Sequence, residues 1–330
     1  MLEGNVLDVE RQLATRAAWL YFVAALTQQQ IARRLGITRA RVNRLIAEAR
    51  EQGLVQIRIT GRLGACVALE EQLKTRFGLV EASVVPTPPD QSSIPDVIAA
   101  AAGDVLSRRL HDGMSVGVGW GRTLRLSLRY LPHRPMPGLS VVSLLGGLTR
   151  GAAMNPYETA SHLADLLSAQ CYYVAAPALT GTAEAREILM AQPMIQEVLE
   201  RGRSTGIAFL SVGDLSDTST MVRVGLIGPD EVRSLLEAGA VGDICVHWID
   251  VDGRIVDHPL NQRNMALAPE FLKSIPCVIV ASGGTAKIPV LLGALHGGLA
   301  DVLVTDEDTA AGLLALAGPS TVKSKIALPA

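Results

Sequence analysis

From Val80 to Asp306 the chain alternates apolar runs of strand length with helical stretches: EASVVP, MSVGVGW, LSVVSLLGG, CYYVAAPAL, TGIAFLSVG, DICVHWID, PCVIVASGG and ADVLVTD. Near-continuous apolar runs joined by crossover-length segments specify a parallel sheet, because parallel neighbours need a long connection and bury both faces. With 330 residues, 48% of them hydrophobic, the chain can bury a sizeable core and hold more than one domain. Scarce aromatics and abundant Ala, Val, Leu and Gly suit helices packed closely on such a sheet.

Several of these runs end in Gly, Ser, Thr or Asp. Ligands of open α/β folds bind beyond the carboxyl ends of the strands, where glycine admits close approach and the next helix offers N–H groups to an anion. Four stretches have that build: GWGRT at 119–123, LLGGLTR at 144–150, SVGD at 211–214 and SGGTAK at 282–287. They mark Gly119, Gly121, Arg122, Thr123, Gly146, Gly147, Gly283, Gly284 and Lys287 as candidate effector-binding residues, while Arg150, which could add a charge, fits a solvated loop arginine better. Only five lysines occur in the chain, and Lys287 stands just after Gly283-Gly284-Thr285 at an expected helix start, a place suited to an anion. Asp243, before ICVHWID, can accept hydrogen bonds from ligand hydroxyls; Asn261 and Arg263, in HPLNQRN, are further candidates. Each of these glycines also fits a tight strand-to-helix connection with no ligand.

Residues 1–60 have a different character. They hold nine Lys and Arg against five Asp and Glu, while the whole chain has a net charge of −2, so a basic head precedes an acidic body. Within TQQQIARRLGITRARVNRLIAEAR, residues 27–50, Thr27 can cap one helix, Gly36 can turn the chain, and Thr38 can cap a second. Ala32 before the turn, with Val42 and Leu45 after it, has the spacing at which two short helices pack as a helix-turn-helix. That leaves Arg39, Asn43 and Arg44 on the outer face, with Thr38, Ala40 and Arg41 near the helix start, where a recognition helix meets base edges. Arg39 suits guanine and Asn43 adenine; Gln28, Arg33, Arg34 and Arg41 are expected to meet phosphates. LVQIRIT after Gly53 reads as a wing strand that brings Arg58 near the backbone, and ACVALEEQLKTRF, residues 65–77, as an amphipathic linker helix suited to a dimer contact or to packing on the body. The domains expected are therefore 1–60, DNA-binding; 61–79, a linker; and 80–330, effector binding and oligomerisation.

Other classes find little support. Cys66, Cys171, Cys245 and Cys277 are far apart, with no CxxC pair and no His at ligand spacing, so free thiols in a reducing cytoplasm are expected, with no metal and no cofactor. Ala17–Leu26 is too short to span a bilayer, and Ile288–Val304 is interrupted by His296 and Asp301, so no membrane partner is expected. Asp250, Asp252 and Gly253 lack the rest of a calcium loop, and a hairpin turn explains them better.

In this order the features resemble the SorC/DeoR-type family of sugar-sensing bacterial transcriptional regulators over almost the full chain. The residues carrying the resemblance are QQQIARRLGITRARVNRLIAEAREQGLVQIRI, GVGWGRTL, LLGG, GAVGDICVHWIDVDGRIV and IVASGGTAKIPVLLGALHGGLADVLVTDEDTA. The resemblance implies an effector domain with the Rossmann-like fold of sugar-phosphate isomerases and CoA transferases. It also implies ligand contacts from the Gly119–Thr123 loop, Gly146-Gly147, Asp243 and Lys287, and a homotetramer on paired half-sites of double-stranded operator DNA. The expected effector is a sugar or polyol, phosphorylated in most of the family. Some members hold a sugar aldehyde as a lysine imine; no Lys lies between Lys74 and Lys273, so a noncovalent complex is expected.

The rival reading is a sugar-phosphate isomerase or deaminase on the same fold. Such chemistry needs a carboxylate base and a proton relay within reach of the substrate. Asp243 has no evident partner for it, since His247 lies four residues on in a strand, and no GxSxG, HExxH or P-loop is present. Sensing is therefore the expectation, with effector and operator coupled through quaternary arrangements that differ in affinity for each.

Overall fold

The computed structural model describes residues 3–55, 64–149 and 155–317. They fall into two units, Met1–Thr60 and Gly61–Ala330. In the first, α1 (Glu3–Phe22) precedes α2 (Gln28–Leu35) and α3 (Arg39–Glu51). Thr27 Oγ1 accepts from the Gln30 N–H (3.3 Å) and Gln30 Oε1 accepts from the Thr27 N–H (2.8 Å), a reciprocal cap that starts α2. Gly36, at φ +67°, supplies the left-handed residue that ends it. Thr38 Oγ1 then accepts from the Arg41 N–H (3.2 Å) and starts α3. Ala14, Ala17, Ala18 and Leu20 of α1 close a small core against Ile31, Ala32, Val42, Leu45, Ile46 and Ala49. Of the expected wing strand, residues 56–60, including Arg58, lie outside the described residues.

The second unit opens with α4 (Gly64–Phe77), the expected linker helix. Its Cys66 and Leu73 are buried in the body's core, and the buried Glu70 accepts from the Val84 N–H (3.0 Å), so this helix packs on the body. Strands β1 (Glu81–Val85), β2 (Ser115–Val118), β3 (Ser140–Gly147), β4 (Gln170–Pro177) and β5 (Ile207–Leu210) follow, interleaved with α5 (Ile94–Ser107), α6 (Arg122–Ser127), α7 (Pro156–Leu167), α8 (Ala183–Met190) and α9 (Pro193–Arg203). Next come β6 (Val212–Gly213), α10 (Thr220–Arg223), α11 (Pro229–Glu237), β7 (Gly242–Ile244), β8 (His247–Ile249) and α12 (Pro269–Leu272). The described chain ends with β9 (Cys277–Ala281), α13 (Ile288–His296), β10 (Val302–Asp306) and α14 (Glu307–Leu316).

Seven of the strands form one parallel sheet in the order β1-β10-β9-β5-β2-β3-β4. Burial on both faces is visible in single strands: Ile207 and Phe209 join one core with α5, α6 and α7, while Ala208 and Leu210 join the other with α4, α11, α13 and α14. The chain runs outward from β2 through β3 to β4, then returns to β5 and runs the other way. Adjacent β2 and β5 therefore form a topological switch point, where a crevice opens beyond the strand ends.

One strand expectation is corrected. DICVHWID is not a strand of the parallel sheet but a hairpin, β7 against β8, that joins β6 in a separate antiparallel sheet. Cys245 (φ +49°) and Val246 (φ +59°) both occupy the left-handed region at its turn, and Asp243 Oδ2 accepts from the Val246 N–H (3.1 Å). Two such non-glycine residues cost about 1–3 kcal/mol each, offset here by complete burial and that carboxylate cap. The expected turn at Asp252-Gly253 is present, with Gly253 at φ +77° and Ile249 bridged to Ile255.

Candidate functional site

In the first unit, Val42, Leu45 and Ile46 face the core, so Thr38, Arg39, Arg41, Asn43 and Arg44 are exposed along α3, and Arg33 and Arg34 are exposed on α2. Gln28 is placed differently from a simple phosphate partner. Its Nε2 donates to Asn43 Oδ1 (3.1 Å) and its Oε1 accepts from Arg39 Nε (3.4 Å), so one carboxamide spans the two candidate base readers. Arg41 pairs with Glu10 of α1 at 3.1 Å and Arg44 with Glu48 at 3.4 Å; both pairs are solvent-exposed enough to exchange for phosphate contacts at small cost.

In the second unit, a cavity of about 490 Å³ opens at the β2/β5 switch point. Trp120, Gly121, Arg122, Thr123 and Arg125 wall it after β2; Ser211, Val212, Gly213 and Asp214 after β5; Thr218, Ser219, Thr220 and Arg223 around α10; and Asp243 and Lys287 close it. Three of the four expected stretches thus converge. Of the twelve effector candidates, Gly121, Arg122, Thr123, Asp243 and Lys287 line this cavity, and Gly119, Gly146, Gly147, Asn261, Arg263, Gly283 and Gly284 do not.

The seven have local reasons for their identity. A Cβ on Gly119 would stand 3.0 Å from the Leu210 side chain; on Gly146, 2.5 Å from the Ala176 carbonyl; on Gly147, 2.5 Å from the Tyr157 ring; and on Gly283 it would overlap the Asp306 carboxylate. Gly284 N–H donates to Asp306 Oδ2 (2.9 Å) and Thr309 Oγ1 (2.8 Å) is also within reach. Asn261 ties the β8 hairpin: its Oδ1 accepts from the Trp248 N–H (2.9 Å), and its Nδ2 donates to the Trp248 (3.0 Å) and Val256 (2.9 Å) carbonyls. Arg263 Nε donates to the Thr180 carbonyl (2.8 Å). Arg150 lies outside the described residues.

The cavity's electrostatics follow from burial. Asp243 is 3% exposed, and burial pushes its pKa up to about 7 against the pull of the Val246 N–H and the Lys287 charge. Lys287 Nζ donates to Ser282 Oγ (3.3 Å), which also receives the Ser211 hydroxyl (3.3 Å). Burial lowers the Lys287 pKa, while Asp214 and Asp243 raise it. Arg122 is held by Asp96 (2.9 Å) and the Ser92 carbonyl (3.3 Å). Arg125 has its Nε buried with no hydrogen-bond partner, and its pKa is lowered by burial and by the charges of Arg129 and Arg122. Four cationic side chains thus face two aspartates, one of them half protonated near neutrality.

Arg125, Asp214 and Arg223 were not among the expected site residues. Arg125 follows Arg122 by three on a helix, the spacing of one face, which is the signal that marks it. No such pattern marks Arg223. His247 is buried and does not line the cavity; its Nδ1 lies against the Cys245 carbonyl (2.9 Å), and burial pushes its pKa down to about 4. Among the described residues no cluster of three or more His, Cys, Asp or Glu is arranged to hold a metal, and no helix is long and apolar enough to cross a membrane. All four cysteines are free.

The chain is similar to known proteins over most of its length. Residues 61–315 match the sugar-binding-domain family Sugar-bind, and residues 9–62 match the MarR family. The erythritol catabolism regulatory protein EryD of Brucella abortus is 32% identical over 309 residues, 93% of this chain and 98% of that protein. The deoxyribonucleoside regulator of Bacillus subtilis is 32% identical over 308 residues, 92% and 98% of the two chains. Among solved structures, the full-length sorbitol operon regulator SorC of Klebsiella pneumoniae superposes with a TM-score of 0.70 at 28% identity, covering 92% of this chain and 99% of that one. A DeoR family transcriptional regulator from Listeria monocytogenes gives 0.71 at 30% identity, covering 76% and 100%.

Proposed function

Since this chain belongs to the SorC/DeoR-type family of sugar-binding transcriptional regulators, we propose that its DNA affinity is set by a phosphorylated sugar or polyol bound noncovalently in the β2/β5 cavity. It is a transcriptional regulator and not an enzyme, as are the named relatives. The observation that carries the phosphorylated effector is the excess of cationic side chains in the cavity wall, Arg125, Arg223, Lys287 and the Asp96-paired Arg122, over Asp214 and Asp243. Relatives are named for erythritol, deoxyribonucleoside and sorbitol, whose polyol or sugar parts have four to six carbons, so sugars and polyols of that size are the first to try.

In this reading residues 1–60 bind operator DNA, with Thr38, Arg39, Asn43 and Arg44 toward the bases, Arg33, Arg34 and Arg41 toward phosphates, and Gln28 bracing Arg39 and Asn43. Residues 61–79 form the connecting segment and residues 80–330 the effector-binding and oligomerising part. A cytoplasmic homotetramer that spans paired half-sites fits the basic head and free cysteines. The effector acts by binding one quaternary arrangement better than another, a coupling of about 1–3 kcal/mol in typical systems.

The test combines a thermal-shift screen of sugars, polyols and their phosphates with operator binding measured by fluorescence anisotropy. Lys287→Ala is expected to bind operator like the wild type and to lose the effector response. A Lys287→Ala protein that still answers the effector removes Lys287 from the site, and a screen won by free polyols alone removes the phosphate.

A further inference from the structure

The charged groups of the cavity divide into two sets. Lys287 is electrostatically coupled to Asp214 and Asp243, two carboxylates against one ammonium, with Ser282 and Ser211 in the same hydrogen-bonded chain. That wall has no excess of positive charge and is rich in donors and acceptors, the composition that recognises hydroxyls. Arg125, on the α6 wall, is coupled instead to Arg129 and Arg122, both of its own sign, and to Asp96, whose carboxylate is already bonded to Arg122. Its Nε is sealed from solvent with no partner, although guanidinium is the side chain best built to grip an oxyanion in a fork.

A half-buried cation beside like charges in the wall of a cavity is costly unless an anion arrives to meet it. Resting on the reading of this cavity as an effector site, we infer that Arg125 is the residue that selects a phosphorylated effector over its free counterpart. It holds the phosphate against the α6 wall, beside Arg122, while Lys287 with Asp214 and Asp243 takes the hydroxyls. The ligand thereby lies across the cavity with a fixed polarity, anion toward α6 and polyol toward β7.

The experiment uses the full chain with Arg125→Gln and Lys287→Met. Inorganic phosphate is the first probe, compared with chloride at equal ionic strength by thermal shift. Erythritol, sorbitol and deoxyribose, each beside its terminal phosphate ester, are then titrated by calorimetry. Phosphate is expected to stabilise the wild type and Lys287→Met but not Arg125→Gln. For a binding pair, Arg125→Gln is expected to cut the preference for the ester by about tenfold or more while leaving the free compound within about twofold. Lys287→Met is expected to weaken both members alike.

Without ligand, Arg125→Gln is expected to melt at or above the wild-type temperature, because the uncompensated charge is gone; a merely structural arginine would lower it. Unchanged preference in Arg125→Gln overturns the assignment, and loss of preference in Lys287→Met alone moves the phosphate to Lys287. A wild type indifferent to phosphate and to every ester, but stabilised by a free polyol, overturns the phosphorylated effector itself.

Discussion

Asp243 and His247 stand four residues apart on one hairpin, and the same burial moves their protons in opposite directions. Asp243 titrates near 7 in the folded protein against an ordinary value of 3.8, so its contribution to stability is complete below about 4 and is lost as pH rises through 7. His247 titrates near 4 against 6.5, so its contribution is complete above 6.5 and is lost as pH falls through 4. Between pH 4 and 6.5 the two oppose each other. Asp243→Asn is therefore expected to melt at rising temperature from pH 4 to 6.5, and His247→Gln at falling temperature from pH 4 to 7; parallel profiles for the two variants would contradict this. In the first unit, Arg39→Ala is expected to cost roughly 1–3 kcal/mol of operator affinity and to relax preference at one base position, measured on a panel of single-base operator variants. Equal loss on random DNA would make Arg39 a phosphate contact. Lys287 was legible because lysine is rare in this chain; Arg125 leaves only its spacing of three from Arg122, which reads equally as a solvated helix face until the fold shows what covers it.

At the scale of elements, the caps were legible because their chemistry is local: Thr27, Gly36 and Thr38 need only their near neighbours to act. The parallel strands were legible for a similar reason, since burial on both faces writes itself as a continuous apolar run. The β7/β8 hairpin was hidden because Cys245-Val246 carries no turn signal; what reverses the chain is the Asp243 carboxylate and the packing around it. Glycines are ambiguous for a further reason. Close approach to a neighbouring strand and close approach to a ligand require the same missing side chain, so Gly146, Gly147 and Gly283 look in sequence like Gly121. Gly242, at φ +153°, lets β7 pass between the Gly213 carbonyl and Val290 of α13. Gly242→Ala adds overlap with both and is expected to destabilise the second unit by about 1–3 kcal/mol or more, seen as a lower urea midpoint together with weakened effector binding. A variant with the wild-type midpoint would show that the small sheet moves freely.

For the whole molecule, the division into a basic head and an acidic body was legible in charge, and the two units have separate cores. Ligands that bind only a folded unit stabilise it by mass action, about 2.7 kcal/mol at a hundredfold excess over the dissociation constant. Scanning calorimetry is expected to show effector raising the transition of residues 61–330 and operator DNA raising that of residues 1–60. Effector that shifted only the head's transition would place its site there instead.

The chain's three tryptophans occupy three settings: Trp19 in the head is 56% exposed, Trp120 stands in the cavity wall, and Trp248 is sealed in the body's core. Indole emission shifts to the blue as its surroundings dry, so the exposed Trp19 emits to the red of the buried Trp120 and Trp248. With Trp19 and Trp248 exchanged for Phe, Trp120 would remain as a single emitter, and occupancy of the cavity could be followed by ultraviolet fluorescence in a stopped-flow mixer with no dye attached.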